Sequence, residues 1–171
     1  MAVPPLEEPA PQEKTAGPAQ SLYDHDFALW ATEQAQALKE RRTAALDWEN
    51  LAEEVEALAR NDRRAIRSYL KNALLHMLKL TYWAAERERN ESQWREHLIN
   101  ACDGVAEIIE DSPSLRSYPA EVFATAYSAA RRRAARLIGR QDLPQASPWT
   151  LNQVLDESFW PEANDQTPPS S

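Results

Sequence analysis

The stretch DWENLAEEVEALARNDRRAIRSYLKNALLHMLKLTYW, residues 47–83, contains neither proline nor glycine. Those two residues are the strongest punctuation against helix, and Ala, Leu, Glu, Arg and Lys, which dominate here, favour it. Leu51, Val55 and Leu58, then Ile66, Tyr69, Ala73, Met77 and Leu80, recur at helical spacing and form one apolar stripe. The phase survives across Asn61-Asp62, which favours one helix from a cap at Asp47 to about Trp83. At about 1.5 Å per residue such a helix is roughly 54 Å long, more than the width of a small domain. The alternative is a break at Arg60-Asn61-Asp62, with Asn61 capping a second segment.

The same logic extends outward. No proline or glycine occurs from Ala19 to Asp103. A first helix is expected from about Asp24 to Arg41, with Asp24 and Asp26 at its positive end and Phe27, Trp30, Gln34 and Leu38 on one face. A third is expected from about Glu91 to Glu110, on Trp94, Leu98, Ala101, Val105, Ile108 and Ile109. Gly104 inside it either weakens it or lets another helix approach closely. A fourth runs from Pro119 to Ile138, closed by Gly139. Thr150 caps a short last helix over Leu151, Val154 and Leu155, and Phe159-Trp160-Pro161 reads as an aromatic clasp laid back on the bundle. No β-type alternation is visible. The expected fold is all-α, a bundle of four main helices plus a short C-terminal helix around one core. The helical domain spans 21–162, between disordered tails at 1–20, which is proline-rich, and 163–171.

The chain has 171 residues, one cysteine and a formal charge of −8. A single cysteine excludes an internal disulfide and fits a reducing compartment; Cys102 reads as a small core residue. The acidic balance argues against a nucleic-acid binder driven by bulk charge. No apolar run is long enough to span a bilayer, and residues 1–19 have neither the basic nor the apolar region of a secretory signal. The expected address is the cytoplasm.

Residues with chemical potential lie along the second helix. A polar seam, Asn50, Glu54, Asn61, Ser68, Asn72, His76 and Lys79, flanks the apolar stripe, and Asp62 sits within the stripe where leucine would fit. Asn50, Glu54, Asp62, Asn72, His76 and Lys79 form the candidate polar site, since half-buried polar groups need partners. A lone histidine in an apolar run is more often a hydrogen-bonded core residue than a ligand. A separate face carries Glu49, Glu53 and Glu56, then Arg60, Arg63, Arg64, Arg67 and Lys71. The bland reading is a solvated face suited to the helix dipole. The sharper one makes Arg60, Arg64, Arg67 and Lys71 a contact for phosphate or RNA. Glu53, Glu54, Glu107 and Glu110 offer a further alternative, carboxylates holding Mg²⁺ for a metal-dependent phosphate-ester or nucleotide hydrolase. No glycine-rich phosphate loop, zinc-type Cys/His set or nucleophile elbow is present, and no histidine follows a glutamate by three, as a di-iron site of this class needs. No cofactor and no metal is expected. The leading expectation is a helical interaction protein, binding a protein partner or itself through the long second helix.

Several segments, taken together, have a familiar order: YDHDFALW at 23–30, LDWENLAEEVE at 46–56, LLHMLK at 74–79, DSPSLR at 111–116, WTL at 149–151 and DESFWP at 156–161. In that order the chain resembles, from about Leu22 to Glu162, a bacterial family known as domain of unknown function twenty-nine. The resemblance implies a small helical fold and carries no activity or catalytic residue with it. That family often has glycine near Ala59; alanine here favours an unbroken second helix.

Overall fold

The computed structural model describes residues 18–164, and every regular element among them is helical. In order these are α1 (Pro18–His25), α2 (Phe27–Lys39), α3 (Trp48–Tyr82), α4 (Ala84–Asp111), α5 (Tyr118–Ile138) and α6 (Leu151–Val154), with 3₁₀ turns at Thr43–Ala45 and Pro113–Leu115. Of the tails expected at 1–20 and 163–171, residues 1–17 and 165–171 lie outside the described residues, whereas Pro18–Gln20 are helical and the Asn164 amide donates to Thr81 O. The described chain falls into two compact units that divide between Ala57 and Leu58.

In the first unit the expected helix 24–41 is two helices. Asp26 interrupts it because its carboxylate competes for the backbone: Oδ1 accepts from the Leu29 amide at 3.0 Å and caps α2. Trp30, Gln34 and Ala37 are buried. Tyr23, Phe27 and Trp30 stack edge to face or tilted, with centroids 4.8–5.8 Å apart. The exit from α2 is a Schellman turn: Arg42 N donates to Ala37 O and Arg41 N to Leu38 O. Its left-handed residue is Arg41, at φ 56°, where glycine is usual.

α3 is one uninterrupted helix of 35 residues. Asp47 caps it as expected, accepting from the Asn50 amide. It ends at Tyr82, one residue before α4 starts, so Trp83 alone, at φ −109° and ψ 66°, turns the chain. α4 therefore begins seven residues earlier than the Glu91 expected from its apolar face: residues 84–90 are mostly polar and give no periodic signal.

The core of the second unit is built from Ile66, Leu70, Leu74, Met77 and Leu78 of α3, Trp94, Leu98 and Val105 of α4, and Ala126, Tyr127, Ala130 and Ala134 of α5. Gly104 serves close approach: a Cβ there would stand 2.5 Å from Cζ of Tyr69. Gly139 closes α5 in the left-handed region at φ 76°. Thr150 caps α6 in a full capping box with Gln153. The intervening loop is tied to α5 by Tyr127, whose hydroxyl donates to Pro144 O (2.8 Å), and by Arg131, whose Nε donates to Leu143 O (3.0 Å). Phe159 and Trp160 pack against the core, as a clasp should, and the Arg95 guanidinium lies 4.3 Å over the Trp160 ring.

Candidate functional site

The polar seam does not form one site. In the first unit, Asp47 is a hub. Its Oδ2 accepts from Asn50 Nδ2 (2.8 Å) and from the Trp30 indole (3.3 Å), and its amide donates to Gln34 Oε1 (2.8 Å). Buried Asn50 is thereby satisfied as part of the α2–α3 joint. Glu54 accepts from the Tyr23 hydroxyl at 2.7 Å. That hydrogen bond is the first cause of a Tyr23 phenol pushed up to about 12, so the tyrosine stays protonated and clamps α1 to α3.

In the second unit, half-buried Asp62 accepts from Ser112 Oγ at 3.2 Å, which joins α3 to the end of α4. Asn72 is half-buried. His76 stands fourteen residues beyond Asp62, roughly 21 Å along the helix, and its ring stacks on His97 with centroids 4.9 Å apart. Its Nδ1 is buried with no partner among the described residues. Burial first, then the charges of Lys79, His97 and Arg133, pull it down to about 4. A neutral ring among cations, with no carboxylate among the described residues to orient it, is not a general base poised for neutral pH. The hydrogen-bonded core histidine expected from sequence is thus corrected to a stacked one. Lys79 lies over both Trp83 (5.9 Å) and Trp94 (5.4 Å), and burial lowers its ammonium from the ordinary value, aided by Arg133.

Glu53, Glu54, Glu107 and Glu110 are not gathered: among the described residues no three His, Cys, Asp or Glu side chains stand together as a metal site. Cys102 is buried, its Sγ 3.2 Å from Val154 O, and burial pushes the thiol up to about 11. It is a core residue, not a nucleophile.

The basic face has more structure than a solvated surface needs. Arg64, Arg67, Ser68 and Lys71 of α3 form one wall of a groove, and Thr125, Ala126 and Ala129 of α5 form the other, around about 460 Å³. Arg60 is exposed and does not line it. The opposite wall was missed from sequence, though Ala126, Ala129 and Ala130 signal a thin side of α5. A wider cavity of about 750 Å³ lies beside Thr81, Trp149, Phe159 and Trp160; its rim ends at Asn164, whose amide donates to Thr81 O.

The largest departure from expectation is the apolar stripe of α3. From Ile66 onward it is core, as read. Before that, Leu51 is half-buried, but Val55 is 65% exposed and Leu58 67%, and Trp48, on the same side one turn before Leu51, is 61% exposed. In the first unit Phe27, Leu29 and Leu38 of α2 are also about half exposed. Periodicity marks an apolar face without saying what covers it; the polar step at Asn61-Asp62, inside the stripe, was the available sign. No helix of the described residues is long and apolar enough to cross a membrane.

A family model described as domain of unknown function DUF29 matches residues 22–160. No curated protein and no solved structure matches the chain.

Proposed function

The chain belongs to the DUF29 family, and within it we propose that this protein is a helical interaction protein that associates with a second copy of itself through the first half of α3. The observation that carries this reading is the stripe at Trp48, Val55 and Leu58: side chains in phase with the core, at spacings of seven and three, yet more than half exposed. Leaving large apolar side chains in water forgoes about 1.5–3 kcal/mol each, which a matching surface recovers.

Charge order argues for a second copy as the occupant. Acids come first on α3 (Glu53, Glu56) and bases follow (Arg60, Arg63). Two such helices lying antiparallel set the acidic half of each beside the basic half of the other, while a parallel pair repels along its length. An antiparallel contact of one patch with itself is also the closed, two-fold arrangement commonest among homo-oligomers. The crossover of the charge order, near Leu58, falls in the exposed stripe. A single cysteine, held as a buried thiol, supports a cytoplasmic setting.

Size-exclusion chromatography with light scattering over a range of concentrations tests the reading. The expected result is a concentration-dependent dimer that reverts to monomer in Val55→Lys/Leu58→Lys and weakens in Glu53→Lys/Glu56→Lys. A monomer at every concentration, or a dimer indifferent to the Val55/Leu58 pair, overturns it.

A further inference from the structure

We propose that the groove between α3 and α5 is a binding site for a small molecule bearing a di- or triphosphate group. Three cationic side chains converge on it from one helix wall: Arg64, Arg67 and Lys71, at spacings of three and four. No acidic side chain lines the groove, and no ion pair joins these three to a carboxylate among the described residues. Like charges at those spacings repel and cost helix stability. In a chain of net charge −8, which has carboxylates to spare, an uncompensated triple of cations calls for a ligand that compensates it.

The shape narrows the ligand. About 460 Å³ is within the range of small-molecule sites. From Arg64 to Lys71 the wall runs seven residues, roughly 10 Å, enough for two or three linked phosphates and too short to track a polymer backbone. Two guanidinium forks suit bidentate contacts to phosphate oxygens, and the lysine adds a point charge at one end. Ser68, between the arginines and the lysine, adds a hydroxyl donor. The facing wall is small, Ala126 and Ala129. Its one polar group, the Thr125 hydroxyl, donates its proton to Val122 O at 2.8 Å, so α5 shapes the space and α3 supplies the charge.

Titration calorimetry with inorganic pyrophosphate at about 0.1 M salt tests this, using the full chain. The expected result is saturable binding that falls at least tenfold in Arg67→Gln and is lost in Arg64→Gln/Arg67→Gln/Lys71→Gln, with a salt dependence that flattens as the cations are removed. Ala129→Phe keeps every charge and fills the groove; it is expected to abolish binding too. Absence of binding at millimolar pyrophosphate, or binding that survives Ala129→Phe in a protein with unchanged helicity, overturns the site. A short RNA that binds more tightly the longer it is overturns the small-molecule assignment. Val55→Lys/Leu58→Lys is expected to bind pyrophosphate normally, which separates this site from self-association.

Discussion

His76 stands at the point where packing and charge meet. Its ring lies against His97, with Lys79 and Arg133 near, and its folded value of about 4 lies below the ordinary 6.5. Between those values the unfolded chain binds the proton and the folded chain does not. The contribution of the neutral ring is therefore complete above about pH 6.5 and is lost as pH falls towards 4. Discounted for partial solvent exposure, the loss is about 1–2 kcal/mol. Urea unfolding followed by tryptophan fluorescence, at pH 7 and pH 4.5, is expected to show His76→Gln losing less stability than the wild type over that interval; equal losses would contradict the account. Gly104 makes the opposite kind of demand. Alanine normally gains up to about 1 kcal/mol over glycine inside a helix, but here its Cβ would meet three Tyr69 ring atoms at 2.5–2.8 Å. Gly104→Ala is expected to destabilise by about 1–3 kcal/mol and to cost nothing further when added to Tyr69→Ala, as thermal unfolding of both single variants and the double variant will show. Sequence left both readings of Gly104 open, because spacing along one helix does not say which side chain of another arrives there.

At the scale of elements, local chemistry was legible wherever a residue acts on its own backbone. Asp47, Gly139 and Thr150 begin or end helices where their side chains or conformational freedom require. Asp26 also acts locally, yet its effect was misplaced: the same carboxylate that suits a helix start also breaks a helix arriving from upstream, and α1 does arrive. Trp83 was opaque for a different reason. The turn there spans one residue without glycine or proline, and the helices on either side determine it. Arg41 is the element-scale anomaly, a bulky residue held at φ 56°. Arg41→Gly is expected to raise stability by about 1 kcal/mol, because the left-handed conformation costs an L side chain roughly that much, while Gly139→Ala, at φ 76°, is expected to lower it by a similar amount. Equilibrium denaturation checks both, and a gain in the second or a loss in the first would contradict the capping account.

For the whole molecule, periodicity reached its limit at Val55 and Leu58. Amphipathic phase told which side of α3 is apolar along its entire length, and from Ile66 onward that side is core. It could not tell that Val55 and Leu58, on that same side, are bare, because cover comes from other parts of the chain or from another chain. The residues of the candidate polar site are dispersed for a similar reason. Asn50, Glu54, Asp62, His76 and Lys79, which share a flank of one helix, are distributed among an α2–α3 joint, an α1–α3 clamp, an α3–α4 tie and a histidine–tryptophan layer, since a long helix meets different neighbours at successive turns. The basic face was legible as charge, and the groove that gives it a shape was not, because half of that shape is supplied by small residues of α5.

Disulfide trapping at Leu58 tests the self-association of α3 most directly. The native thiol of Cys102 is buried, so an introduced cysteine reports alone. In an antiparallel pair centred near Leu58, Leu58→Cys meets its own counterpart and forms a covalent dimer within minutes of mild oxidation. Trp48→Cys, ten residues from the centre in each copy and so roughly 30 Å from its counterpart, forms no covalent dimer. Equal trapping at both positions, or none at Leu58, would contradict the account.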